Sequence, residues 1–436
     1  MTKRIISSGM AIFALCVSTI SLAQSTDQRP EDSDPVTMGW MQGDPVPPDK
    51  IVRHGDMGFY QFPKSRWSFS HMRELVPTKN VARGNGAVSL LPRAARSDLD
   101  DVQFLPLGSD QSMTWAESLK VNYTDSIIVL HKGRIVYERY FGAAKPDLPH
   151  MSFSVTKSYF GTLAAMLISE GKLDPGALVT KYIPEMRGSA FADATVRQVL
   201  DMTTGISYSE KYADPKSDVW EFSYAGGILP PPPGYDGKKT FYDYLPTLKK
   251  EGEHGAQFIY KSVNSEVLGW LIQRVTGQTA VAALETRIWR KLGTEMDAYM
   301  LIDSAGIGFA AGGFNSVLRD QARFGEMMRL DGYFNGQQIV PKMVVEDIRA
   351  GASKSDFVKA GYATLPGWTY RNQWWVSHNT HGAYTARGIH GQTIYIDPAA
   401  EMVIVRFASH PVATNGSFDA TSLPAYQAIA EHLMAG

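Results

Sequence analysis

Apolar positions along this chain of 436 residues follow two periods, and they change over in a definite order. From Ser126 to Tyr140, the runs Ser-Ile-Ile-Val-Leu and Arg-Ile-Val-Tyr-Glu-Arg-Tyr flank a Lys132-Gly133 turn, which predicts a β-hairpin. A second hairpin is predicted near the end, with Thr393 to Ile396 and Met402 to Phe407 on either side of Asp397-Pro398. Between them, Ser154 to Glu170 carries Tyr159, Leu163, Met166 and Leu167 at helical spacing and stops at Gly171. A long, mostly helical and loop region follows. It is broken at Pro230 to Pro233, because proline continues neither a helix nor a central strand. Tyr426 to Leu433 closes the chain as a last helix.

Strands at both ends of the body around a helical middle predict a fold that is α/β in content and α+β in arrangement. One antiparallel sheet is assembled from the two ends and flanked by helices, with a mostly helical subdomain of about residues 155 to 300 inserted. From Gln24 to about residue 104, Pro, Asp, Gly and Arg are frequent and neither period is sustained. That stretch is expected to be an extended arm wrapping a main body of residues 105 to 436. No internal repeat is visible.

Composition narrows the partners. Apolar residues make up 44% of the chain, enough for a large core, and 43 Lys plus Arg against 44 Asp plus Glu leave a net charge of -1. No long basic run is present to neutralise a row of phosphates, so nucleic acid is not an expected partner. Lys3 and Arg4, then the apolar stretch Ile5 to Leu22, then Ser21-Leu22-Ala23 read as an export signal, residues 1 to 23, cleaved after Ala23. A periplasmic or secreted protein without a stable membrane anchor follows from that reading. The single cysteine, Cys16, lies inside the signal behind Leu15, where a lipid-anchor site wants a small residue, so the mature chain has no thiol for disulfides or metal.

The candidate chemistry begins at Ser154-Val155-Thr156-Lys157. One helical turn sets an amine beside a hydroxyl, and the start of a helix offers outward N–H groups and a favourable dipole to a developing oxyanion. Ser-x-x-Lys is a frequent pattern, and it recurs here at Ser169 to Lys172, where the serine stands at a helix end beside Gly171 and reads as a capping or surface residue. The ten histidines include no His-Glu-x-x-His, and neither a metal nor a cofactor is expected. Gly306 to Ala311 approximates a dinucleotide loop but lacks a surrounding βαβ unit. Gly-x-Ser-x-Gly is absent, which argues against a Ser-His-Asp triad on an α/β-hydrolase sheet.

Further segments come in a telling order: Met202-Thr203-Thr204-Gly205, then Tyr260-Lys261-Ser262-Val263-Asn264, then Ala311-Gly312-Gly313 with Leu318-Arg319-Asp320 and Arg323-Phe324, and finally Ala386-Arg387-Gly388-Ile389-His390-Gly391-Gln392. With Ser154 to Lys157 they make the chain resemble, over roughly residues 105 to 436, the serine β-lactamase and penicillin-binding-protein superfamily. Within it, the likeness is to the class C β-lactamase branch and the 6-aminohexanoate-dimer hydrolases. The resemblance implies a catalytic set of Ser154 as nucleophile, Lys157 as its partner and Tyr260 as proton carrier. It also implies an oxyanion hole from the amides of Ser154 and Ile389, and substrate binding by Ser262, Asn264, Gly388 and His390. Tyr260 matches the tyrosine of Tyr-x-Asn, although Ser262 stands where Asn is frequent, and Ser262 to Asn264 also fits Ser-x-Asn. Whether Tyr260 or Lys157 is the base stays open between the two readings. A strict Tyr-x-Asn at Tyr333 to Asn335 sits in a turn signature.

The expected activity is hydrolysis of a small-molecule amide or carboxylic ester through an acyl-enzyme on Ser154. The first position of the third element is Ala386 and lacks the cation that helps hold a β-lactam carboxylate. A β-lactamase or penicillin-binding peptidase or esterase is the alternative, and a non-catalytic binding or sensor module is the alternative of another kind. Asp214 and Asp218 are candidates for receiving a substrate amine. Trp220, Tyr224, Trp374 and Trp375 are candidates for the walls of an apolar cleft.

Overall fold

The computed structural model describes residues 28–436; the expected export signal and its cleavage point lie outside the described residues. The apolar run after Asp125 forms β1 (Thr124–His131), hairpinned to β2 (Arg134–Tyr140). The C-terminal part contributes β3 (Thr369–Arg371), β4 (Trp374–Val376), β5 (Tyr384–Gly388), β6 (Gln392–Asp397) and β7 (Met402–Ala408). They form one seven-stranded sheet in the order β3-β4-β5-β6-β7-β1-β2, with every neighbouring pair antiparallel. The two predicted hairpins therefore meet edge to edge, with Val405 opposite Ile128 and Ile404 opposite Val129.

Four helices matter for the site: α1 (Val155–Ser169), α2 (Val263–Thr276), α3 (Leu318–Arg329) and α4 (Asp419–Ala435). Ile127, Val129, Met402 and Ile404 pack with Tyr426, Ile429 and Leu433 of α4 on one face of the sheet. Ile128, Leu130, Val403 and Val405 share the large core with α1 and α3 on the other. Burial on both faces explains why these strands read as continuous apolar runs instead of alternating ones. The last helix is longer than its apolar pattern predicts, beginning at Asp419 and containing Pro424. Proline removes the N–H that would bond the Ala420 carbonyl, and the Leu107 amide takes that acceptor instead, at 3.0 Å. No helix among the described residues is long and apolar enough to cross a membrane.

The segment expected as an arm is built of turns and single-turn helices between residue 28 and about 104. Trp40, Phe59, Trp67 and Phe69 from it lie in the same core as Tyr159 and Leu163 of α1. Its strand Thr78–Val81 pairs with Ala298–Leu301, and that small antiparallel sheet continues through Phe314–Ser316 to His150–Met151, immediately before the nucleophile candidate. Arg66 fastens the segment by donating to the Ser33 hydroxyl at 3.0 Å, while its guanidinium lies 3.8 Å from the buried Asp125 carboxylate.

Helix α1 is docked tightly onto the β3–β4 turn. The Ser158 hydroxyl donates to the Gln373 carbonyl at 2.7 Å, and a Cβ built on Gly161 would stand 2.1 Å from the Asn372 carbonyl oxygen. That neighbour is backbone and cannot swing aside. Gly161→Ala should therefore destabilise the protein by about 2 kcal/mol despite alanine's better helix propensity, read as a lower urea midpoint at unchanged m-value; an unchanged or higher midpoint would show that the turn yields.

Candidate active site

Ser154 caps the N-terminus of α1 and is 9% exposed. The residue before it, Phe153, adopts φ 46°, a left-handed turn that a bulky side chain rarely takes. A strained corner of this kind persists only where the surrounding packing enforces it. On the opposite side β5 ends at Gly388, where a Cβ would meet the Ser154 amide nitrogen at 3.1 Å and the Ser152 carbonyl oxygen at 2.7 Å. Only glycine lets the strand approach so closely, and the next residue, Ile389, lines the same two cavities as Ser154. Among the described residues, no turn, loop or cap hydrogen bond uses the Ser154 or the Ile389 N–H as donor.

Lys157 is 1% exposed, and its Nζ donates to Ser154 Oγ at 2.8 Å and to the Ala311 carbonyl at 2.6 Å. Burial lowers its pKa to about 8, against the pull of the Glu210 and Glu266 carboxyls, which favour the charged form. The backbone of Ala311 stands between two ionisable groups: its carbonyl takes the lysine, and its N–H donates to Oε1 of the fully buried Glu266 at 2.7 Å. Burial pushes Glu266 up to about 8, opposed by that N–H and by Lys157. Tyr260 lies with its ring 5.1 Å from Lys157 Nζ and stacked on Trp375 at 5.5 Å. Its phenol is raised well above the usual tyrosine value by burial and by Glu210, with the Ser154 hydroxyl and Arg387 pulling the other way. The resting site thus holds a neutral tyrosine and an amine within reach of deprotonation.

Two cavities open on Ser154 and Ile389. The wider, of about 500 Å³, is walled by Tyr260, Tyr362, Trp375, Glu210, Arg387 and Asp419; the narrower, of about 50 Å³, runs among Tyr60, Trp220, Phe222, Ile228 and Phe309.

The β-lactamase family model matches residues 122–424. A 6-aminohexanoate-dimer hydrolase of Paenarthrobacter ureafaciens is 37% identical over 354 residues, 80% of this chain and 86% of that protein. The chain belongs to the β-lactamase family. It is a serine hydrolase of that fold. A structure from Bacillus anthracis, described as a candidate 6-aminohexanoate-dimer hydrolase, superposes with a TM-score of 0.79 at 34% identity, over 86% of this chain and 96% of that one. A penicillin-binding-protein homologue from Caulobacter crescentus, at 15% identity and TM-score 0.54 over 72% of this chain and 96% of that one, shares the fold.

In this family member, Ser154, Lys157, Ile389 and Ser262 share the narrow cavity, and Tyr260 lines the wide one together with Ser154 and Ile389. Gly388 contributes closeness of backbone. Asn264 is elsewhere: fully buried in α2, it accepts from the Thr204 hydroxyl at 2.7 Å and donates to the Lys261 carbonyl at 3.1 Å, tying the Met202 to Gly205 turn to the helix, and it lines neither cavity. His390 is also absent from both walls. It packs against Tyr60, Phe69 and Phe153, and its Nδ1 donates to the His410 carbonyl at 2.7 Å. Asp214 and Asp218 order their own loop, accepting from the Lys216 and Ser209 amides. Ser169 donates to the Met166 carbonyl and Lys172 pairs with Glu170, so the second Ser-x-x-Lys has no part in the site. Trp374 is core and donates to Thr162, and Tyr224 packs on Tyr235, leaving Trp220 and Trp375 as the tryptophans that wall the cleft.

Three contributors went unread in the sequence. Glu210 accepts from the Ser262 amide and hydroxyl at 2.7 and 2.5 Å and from Tyr212 at 2.9 Å, and it stands in the wide cavity. Glu266 and the Ala311 carbonyl are the others. A cation does enter the cleft from the third element, at its second position: Ala386 faces the core, while Arg387 lies between Trp368 and Trp375 and is bonded to Asp419.

Burial lowers His390 to about 4 from 6.5. The unfolded chain binds this proton at mildly acidic pH and the folded chain does not. The associated stability is whole above about pH 6.5 and is lost as pH falls toward 4, by about 3 kcal/mol. In urea titrations at pH 7 and pH 4, the native chain should lose about that much more stability than His390→Asn; equal losses would show that the imidazole takes up no proton on unfolding.

Proposed function

We infer that this chain is an exported hydrolase, periplasmic or secreted after removal of residues 1–23, that opens a linear amide or an ester of a small molecule through an acyl-enzyme on Ser154. The observation that carries the reading is the short contact from the buried Lys157 Nζ to Ser154 Oγ, with both hydrogen bonds of the amine going to uncharged oxygens. An amine poised near pH 8 is a competent base once neutral, and about a tenth of it is neutral at pH 7.

In the forward step, neutral Lys157 takes the hydroxyl proton as Ser154 Oγ bonds to the substrate carbonyl carbon. The resulting oxyanion is received by the Ser154 and Ile389 amides. The Tyr260 phenol gives its proton to the departing amine or alkoxide as the carbon–heteroatom bond breaks, and the Lys157 ammonium returns a proton to the phenolate. Water then repeats the attack on the acyl-enzyme and releases the acid. Neutral Tyr260 suits a donor better than a resting base, because its phenolate is disfavoured by burial. The dimer named for the Paenarthrobacter relative makes linear amides the first substrates to assay. Arg387 engaged by Asp419, and Ala386 at the first position of the element, speak against recognition of a β-lactam carboxylate there.

A fluorophosphonate probe should add once to the purified mature chain by intact mass and not at all to Ser154→Ala; an unlabelled native chain without esterase or amidase turnover would sink the enzyme reading. The pre-steady-state acylation rate with a p-nitrophenyl ester should rise about tenfold per pH unit below pH 8 and level off above it. A rise that continues beyond pH 10 would assign the base to Tyr260 instead.

A further inference from the structure

The two cavities at Ser154 differ in chemistry. The narrow one is mainly apolar: Tyr60, Trp220, Phe222, Ile228, Leu229 and Phe309 are among its walls, and no carboxylate lines it. Its ionisable groups are Lys157, already committed to Ser154, and the phenols of Tyr60 and Tyr212, both kept neutral by burial. The wide cavity holds Glu210, Asp419 and Arg387 and is the one that Tyr260 lines.

Their positions relative to the reaction assign the two halves of a substrate. The leaving amine or alkoxide needs a proton at the moment its bond breaks, and it must depart while the acyl group stays on Ser154. The donor phenol and the open space are both on the wide side. The acyl group stays on Ser154 until water attacks and gains from an apolar wall. Its chain is thereby directed into the narrow cavity.

The volume then limits what fits. About 50 Å³, with one water-sized group needing about 10–15 Å³, leaves room for only a short chain. A charged end would be buried there with no carboxylate in the wall itself, the nearby Glu210 standing behind Ser262 and Tyr212 with its oxygens already accepting from them, which is unfavourable. We propose that the narrow cavity is an acyl pocket for a short, uncharged, apolar acyl group, with Phe222 and Ile228 limiting its length. This rests on the acyl-enzyme reading above and narrows it: the amides or esters handled best carry a plain short acyl arm, in preference to an ω-ammonium one.

The test uses the mature full-length chain and p-nitrophenyl esters from acetate to octanoate, with hexanoyl and 6-aminohexanoyl p-nitroanilides alongside. kcat/KM should peak near butyrate and fall at least about tenfold by octanoate, and the hexanoyl anilide should exceed its ammonium-bearing counterpart by at least about tenfold. Ile228→Ala should move the optimum toward hexanoate; Phe222→Ala, which also loses core contacts, is the second variant, with native circular dichroism as the check that either has folded. Rates that climb to octanoate, an ammonium-bearing arm handled as well as the plain one, or an optimum that neither folded variant moves would overturn the acyl-pocket assignment. Fluorophosphonate labelling of Ser154 separates the cases: labelling with any of those patterns removes this inference alone, whereas absent labelling removes the hydrolase reading beneath it.

Discussion

A lysine buried to 1% exposure, with a serine hydroxyl on one side and a backbone carbonyl on the other, is the constraint around which this site is arranged. Such an amine is costly to keep charged, and a direct carboxylate partner would lock it in that state. The fold places one residue, Ala311, between Lys157 and the buried acid Glu266. Glu266 holds the Ala311 N–H, and the Ala311 carbonyl holds the lysine. The acid steadies the ammonium without becoming its ion-pair partner, and the result is an amine that gives up its proton near neutral pH. The aromatic face of Tyr260 supplies a further weak attraction that leaves the charge free to change.

Everything near Ser154 has to be stiff for such a balance to hold. Helix α1 is fixed at its middle by Gly161 against the β3–β4 turn and at its start by the left-handed corner at Phe153. Strand β5 is brought against the serine by Gly388. The N-terminal segment is part of the same construction: its Tyr60 and Phe69 join Phe153 around His390, and Tyr60 also walls the narrow cavity. Residues that carry no chemistry thereby decide how much room an acyl group has.

Asn264 and His390 show where motif reasoning stops. Both stand next to site residues in sequence, and both turn inward: Asn264 follows Ser262 by two positions on a helix, which swings its side chain by about 200° away from the cavity. His390 follows Ile389 at φ 61°, a corner that sends the imidazole into an aromatic nest. Glu210 lies some fifty residues before Ser262 in a region without periodicity, and its contact with the Ser262 amide and hydroxyl had no local signature. Arg387 was passed over because the family pattern directs attention to the position before it.

Local physics determined much of this protein from the sequence alone. Continuous apolar runs with a tight turn had to become buried hairpins, the 3.6-residue spacing after Ser154 had to become a helix, and a serine one turn before a lysine at that helix start had to bring hydroxyl and amine together. Those features depend on residues a few positions apart. The partners of Lys157, the turn of Asn264 away from the cleft, the entry of Tyr60 and Glu210 and the unlike character of the two cavities were decided only by tertiary structure. Each depends on contacts between segments tens to hundreds of residues apart, and both the burial that shifts a pKa and the shape that limits an acyl chain are properties of the assembled core.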